Sequence, residues 1–220
     1  GNLISYSSDI SEEVNLTYDE RGNITAVTSP GSTAGIYNYD ENGKLISAAD
    51  GDMRCTYGYN EAGKLISVTR EGKGTTTYTY DESGNFLSSV TGENGGTSYM
   101  EYDARGNLII TKDASGAVTK YEYDLMNRVS KIINPNGGEI CYTYDIYGNI
   151  ASQTDALGNV TTYIYDVGGR QIQTIYADGS SESYTYDSDS SVTSVTLSDG
   201  RKITYEYDVL GNLIKTTYPD

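Results

Sequence analysis

Apolar and polar residues alternate along most of this chain, in short runs broken about every ten residues by Gly, Asp, Asn or Pro. The segment Tyr121, Glu122, Tyr123 is representative, and so is Tyr142, Thr143, Tyr144. A period of two places both rings on one face of a β-strand and the polar residue between them on the other. The same arrangement recurs with Tyr37, Tyr57, Tyr78, Tyr163, Tyr184 and Tyr205 as the leading ring, while Leu16 and Met100 take that place in two repeats. No stretch carries the 3.6-residue period of an amphipathic helix.

Each of these strands ends on one recurring pair. It reads Tyr18-Asp19, Tyr39-Asp40, Tyr59-Asn60, Tyr80-Asp81, Tyr102-Asp103, Tyr123-Asp124, Tyr144-Asp145, Tyr165-Asp166, Tyr186-Asp187 and Tyr207-Asp208. Successive tyrosines lie 21, 20, 21, 22, 21, 21, 21, 21 and 21 residues apart. Self-similarity at a short fixed period is the signature of a repeat architecture. Residues 1–17 form a partial repeat, with "GNLI" at residues 1–4 in the phase that follows a Tyr-Asp pair, and the chain stops in mid-repeat. The expectation is one continuous array over residues 1–220, cut from a longer protein.

After the pair comes a turn. Asp stands first and Gly fourth, as Gly22, Gly43, Gly63, Gly84, Gly106, Gly148, Gly169 and Gly211. That order predicts a type I turn closed by a left-handed residue in a three-residue hairpin loop, with the Asp carboxylate accepting the turn's own amides. Asn127 fits the left-handed position tolerably, whereas Ser190 predicts a distorted turn. Such a loop sets the repeat Tyr across from the residue six positions on: Ile24, Leu45, Leu65, Phe86, Leu108, Val129, Ile150, Val192 and Leu213, with Gln171 a misfit. Aromatic and aliphatic side chains then meet across the strand pair.

The second connection of each repeat, as in "TSPGST", "INPNGG" and "YADGSS", carries Gly with Asp, Asn or Pro and reads as a looser turn. One repeat is thus strand, tight turn, strand, looser turn. The predicted fold is all-β: tandem antiparallel hairpins of about 21 residues in a coiled, spiral sheet, a segment of a shell or solenoid. A β-helix is disfavoured by the tight antiparallel turns, and a propeller by the lack of alternation between odd and even repeats. Free strand edges predict edge-to-edge self-association.

Composition then narrows the chemistry. Leu, Ile, Val and Phe make up only 41 of 220 residues and the formal net charge is −16, a balance that usually marks disorder, but the 23 tyrosines supply strand-forming, partly apolar surface in their place. The acidic balance disfavours nucleic acid and anionic lipid, and no run is long and apolar enough for a membrane span. The chain has no His, which removes Ser-His and Cys-His nucleophilic catalysis and His-ligated zinc. Cys55 and Cys141 fall on opposite strand faces, so no bridge between them is expected. Ten equivalent carboxylates at a turn position indicate structure rather than an acid-base pair, so neither catalytic nor cofactor-binding residues are assigned. One carboxylate per turn is a poor calcium ligand set. The tyrosine ladder, with Tyr121 and Tyr142 as candidates, could stack carbohydrate, and adhesion to sugars is the alternative function.

The phrase seen almost whole in "YDARGNLIITKDASGAVTKYEYD" (102–124) resembles the YD repeat of the RHS (rearrangement hotspot) proteins, a class that includes insecticidal toxin-complex components, bacterial polymorphic toxins and the teneurins. The resemblance covers essentially the whole chain. It implies a hairpin strip wound into a hollow shell, a secreted or cell-surface setting, and in bacterial members an enclosed C-terminal toxin. The three prolines follow Ser29, Asn134 and Tyr218, so the Asp-Pro motif at which such shells cleave themselves is missing from this segment.

Overall fold

The computed structural model describes residues 5–7 and 13–219, so the expectation for residues 1–4 lies outside the described residues. These hold twenty-one strands, from Ser5–Ser7 to Leu213–Thr217, and no helix. The chain divides into two compact units, one of residues 1–106 and 111–117, the other of 107–110 and 118–220.

Within the first unit, strands follow one another as antiparallel neighbours in sequence order. Glu13–Tyr18 pairs with Ile24–Thr28, Gly35–Tyr39 with Leu45–Asp50, Met53–Tyr59 with Leu65–Arg70, and Gly74–Tyr80 with Leu87–Thr91. The second unit repeats the scheme from Val118–Tyr123 with Val129–Ile133 to Lys202–Tyr207 with Leu213–Thr217. The expected cross-strand partners are met at Tyr18–Ile24, Tyr39–Leu45, Tyr59–Leu65, Tyr123–Val129, Tyr144–Ile150, Tyr165–Gln171, Tyr186–Val192 and Tyr207–Leu213. A β-bulge sits just behind each of these pairs and sets two residues against one.

Three expectations are corrected. The partner of Tyr80 is Leu87 rather than Phe86, because this repeat holds one extra residue and the turn absorbs it. From Gly92 onward the second connections are not looser than the first, whereas "TSPGST" is looser as expected, with a single 3.3 Å bond from the Ser32 amide to the Ser29 carbonyl. At Gly92, Asp113, Asn134, Asp155, Tyr176 and Leu197 the backbone makes the same two hydrogen bonds as the Tyr-Asp turns, for example from the Asp113 amide to the Ala117 carbonyl (2.9 Å) and from the Gly116 amide to the Asp113 carbonyl (2.9 Å). The turn at Ser190 is also kept. Ser190 takes φ 68° and its amide reaches the Asp187 carbonyl at 3.3 Å, a longer version of the usual bond.

Among the described residues no apolar side chain is fully buried; the buried polar ones are Ser89, Thr174 and Ser194. Stability therefore comes from many half-buried side chains on a single layer of strands, and not from a dry core between two layers. On the face away from the repeat tyrosines, hydroxyls and amides pair across the strands, as Thr143 Oγ1 with Ser152 Oγ (2.6 Å) and Asn38 Nδ2 with Ser47 Oγ (2.9 Å).

Candidate functional site

The recurring Tyr-Asp-x-x-Gly phrase is the candidate site, and its geometry shows what each residue does. In the turn at Asp19, the Asp19 amide donates to the Asn23 carbonyl (2.9 Å) and the Gly22 amide to the Asp19 carbonyl (3.0 Å). Gly22 has φ 86°, a left-handed conformation in which a Cβ would be strained. The carboxylate lies inside the turn, where Oδ1 accepts the amides of Arg21 (2.9 Å) and Asn23 (2.8 Å) and Oδ2 accepts Asn23 Nδ2 (2.9 Å). Asp145 and Asp208 repeat this set with Asn149 and Asn212. In Asp124 and Asp166 the guanidinium of Arg128 or Arg170 replaces the Asn amide.

These bonds favour the ionised carboxylate. The Asn side chains hold Asp19, Asp145 and Asp208 below the usual carboxylate range, while the backbone amides of Arg128 and Arg170 are the main cause at Asp124 and Asp166. Each of these carboxylates is thus hydrogen-bonded inside its own loop and keeps its negative charge. No group of three or more Asp, Glu or Cys side chains gathers into a metal-binding cluster among the described residues.

The repeat tyrosine has a role that spacing alone did not suggest. Between successive hairpins the ladder stops early: Lys131, Ile132 and Ile133 pair with Cys141, Ile140 and Glu139, and Val129 lies beyond the last pair. The hydroxyl of Tyr144, on the following hairpin, donates to the Val129 carbonyl at 2.6 Å. The same link runs from Tyr39 to Ile24, Tyr59 to Leu45, Tyr80 to Leu65, Tyr123 to Leu108, Tyr165 to Ile150, Tyr186 to Gln171 and Tyr207 to Val192, at 2.6–3.0 Å. Each hydroxyl serves a carbonyl that the inter-hairpin ladder leaves behind, so the ring joins its hairpin to the preceding one. Burial pushes the hydroxyls of Tyr144 and Tyr165 up in pKa, which keeps them protonated as donors.

A second inter-repeat contact covers the same rings. Lys44 and Lys64 place Nζ over Tyr59 and Tyr80 at 5.3 and 5.0 Å, and the guanidiniums of Arg128 and Arg170 lie over Tyr144 and Tyr186 at 4.1 and 4.9 Å. The displaced Phe86 stacks on Tyr102 at 4.9 Å, and its rim comes so close to Gly106 that a Cβ there would clash. Sequence reasoning set Phe86 across from Tyr80 and missed its stacking on the following repeat, although its position just after the turn Gly was the available signal.

The leading tyrosines behave differently. Tyr121 faces Ile132 and Tyr142 faces Gln153, both half-buried, and their hydroxyls take no hydrogen bond from the described residues. Cys55 and Cys141 are free thiols.

Fold and phrase together define a class: tandem β-hairpins tied to one another through their tyrosines. The Teneurin YD-shell family model matches residues 2–130, 37–173 and 110–220, and the chain belongs to that family. Among curated proteins none matches significantly. Solved structures with the same fold include TcdB2-TccC3 without its hypervariable C-terminal region (19% identity, TM-score 0.63), TcdB2-TccC3-Cdc42 (19%, 0.61) and the Tc holotoxin pore of Photorhabdus luminescens (18%, 0.61). Each alignment covers 93% of this chain and 14% of the other, so the chain spans about one seventh of the length of these relatives. The chain is therefore a structural segment of the YD-shell type.

Proposed function

We propose that this segment is a non-catalytic length of wall that encloses or displays another part of a longer protein, in a secreted or cell-surface setting and in a bacterial toxin of the RHS kind. The observation that carries this reading is the tyrosine link from each hairpin to the one before it. It stiffens the array by repetition, and the described residues form ten equivalent turns with no one of them set apart as a constellation for acting on a substrate. The Tyr, Asp and Gly of the phrase are structural, and the enclosed part would be a C-terminal toxin. Limited proteolysis of the full-length protein tests this: the part after the repeats should resist cleavage while the wall is folded and become sensitive once urea opens it. Cleavage of that part at the same rate in both states would sink the proposal.

The hydroxyls of Tyr121 and Tyr142, unbonded among the described residues, support a second reading, in which the tyrosine face stacks carbohydrate. An oligosaccharide array separates the two: binding lost in Tyr121→Ala and Tyr142→Ala proteins that still fold would favour adhesion, and an array without binding would remove it.

A further inference from the structure

The tips of the Tyr-Asp turns differ between the two units. In the first unit the two residues between Asp and Gly are mostly charged or polar, as Glu20-Arg21, Glu41-Asn42, Glu61-Ala62 and Glu82-Ser83. In the second they become Leu125-Met126, Ile146-Tyr147, Val167-Gly168 and Val209-Leu210, with only Ser188-Asp189 still polar. These apolar side chains point into solvent: Leu125 and Ile146 are each 91% exposed, Tyr147 83%, and Val167 is fully exposed. Nothing in a type I turn calls for them, since the central positions accept most residues and the other repeats fill them with polar ones. Exposed aliphatic groups contribute nothing to the turn itself, so their clustering needs a cause outside it.

The cluster is contiguous. The turns at Asp124, Asp145 and Asp166 belong to three hairpins that neighbour each other in the ladder, so their tips stand about 10 Å apart along one edge. Between the last two lies a hollow of about 210 Å³ lined by Tyr147, Asn149, Asp166, Val167, Gly168 and Gly169, room for one aliphatic side chain.

Charge decides what covers this edge. The five turns of the second unit hold six carboxylates (Asp124, Asp145, Asp166, Asp187, Asp189 and Asp208) against two guanidiniums, Arg128 and Arg170. Both guanidiniums are held on the carboxylates of Asp124 and Asp166, at 2.6 and 2.7 Å. A second copy would bring the same acidic edge and a net charge of −16 against it, and like charges across an interface oppose docking. We infer that the ridge formed by Leu125, Met126, Ile146, Tyr147 and Val167 docks a cationic, amphipathic polypeptide segment, whose apolar side chains cover the tips while its Lys or Arg side chains face the flanking carboxylates.

The test uses the whole chain and a short fluorescent peptide of Leu and Lys, read by anisotropy. The comparison protein carries Leu125→Ser, Met126→Asn, Ile146→Ser, Tyr147→Asn and Val167→Ser, neutral changes at positions that other repeats already fill with polar residues. Its thermal midpoint and far-ultraviolet spectrum should match those of the parent. The peptide should bind the parent at least about tenfold more tightly than the variant, and binding should weaken with added salt. A variant that binds within about threefold of the parent, a Leu and Glu peptide that binds as well, or no binding at all overturns the inference. So does a parent that sediments as a dimer while the variant stays monomeric, which would make a second copy the occupant. Uptake by phosphatidylcholine vesicles that is lost in the variant would likewise replace the polypeptide with a lipid surface.

Discussion

Removing one tyrosine hydroxyl isolates the inter-hairpin link. In Tyr144→Phe the ring, its packing against Ile150 and its contact with Arg128 all remain, while the 2.6 Å bond to the Val129 carbonyl is lost. That carbonyl lies beyond the last ladder pair, so no backbone amide of the next strand replaces the donor. A partly buried hydrogen bond of this kind contributes about 1 kcal/mol net. For a chain of this length, that lowers the thermal midpoint by roughly 2–4 °C. Tyr142→Phe is the matched control, two residues away on the same strand and face, with a hydroxyl that has no partner among the described residues, and it should leave the midpoint nearly unchanged. The two proteins, melted side by side by circular dichroism at one pH and scan rate, check the reasoning. Equal effects of the two substitutions would refute it, because the loss would then come from phenol solvation and not from the link. The links lie on separate repeats and should add, so replacing all eight of the tyrosines that make them would cost about 8 kcal/mol, comparable with the whole stability of an ordinary domain.

Three other outcomes are expected. Ser190→Gly, at φ 68°, should raise stability by about 1 kcal/mol in urea titration, since Gly adopts the left-handed region without the Cβ penalty; an unchanged or lower midpoint denaturant concentration would contradict the strain. Acid should destabilise the fold. The carboxylates of Asp19, Asp145 and Asp208 have pKa values lowered on folding, so their contribution is present above the unfolded value of about 3.9 and is lost as pH falls through the lower folded value. The midpoint should hold from neutral pH to about 5 and fall below 4, and Asp145→Asn should flatten that fall, because Asn60 already accepts the Lys64 amide through its amide oxygen in an equivalent turn. Phe86→Ala should cost about 1 kcal/mol or more through loss of the Tyr102 stack, again by denaturant titration; a neutral effect would show that the stack contributes nothing.

The strands, the hairpin order and most tyrosine partners were legible in the sequence, because period two and a fixed loop length leave little freedom. The tightness of the second connections from Gly92 onward was hidden because their side-chain acceptor stands first at Asp113 and Asp155 but changes place in others. At Asn136, Asp178 and Asp199 it sits third in the turn and not first, while Tyr176 and Leu197 begin turns whose backbone bonds are the same as elsewhere. The partner of Tyr80 is ambiguous in the sequence because Phe86 and Leu87 are both apolar, and only the turn geometry shows where the extra residue goes. The tyrosine link could not be read at all, since it depends on where the ladder between hairpins stops.

The extra residue before Leu87 has a counterpart in the shortened loop between Asp50 and Met53, where the spacing between repeat tyrosines drops to 20. In an ordinary sheet a slip of one residue turns every later side chain to the wrong face. Here Tyr78 still faces Val90 and Tyr57 still faces Val68, so the slip ends within its own hairpin. A gene encoding such an array can gain or lose single codons at its loops, and whole repeats by recombination, without the error spreading to the next copy.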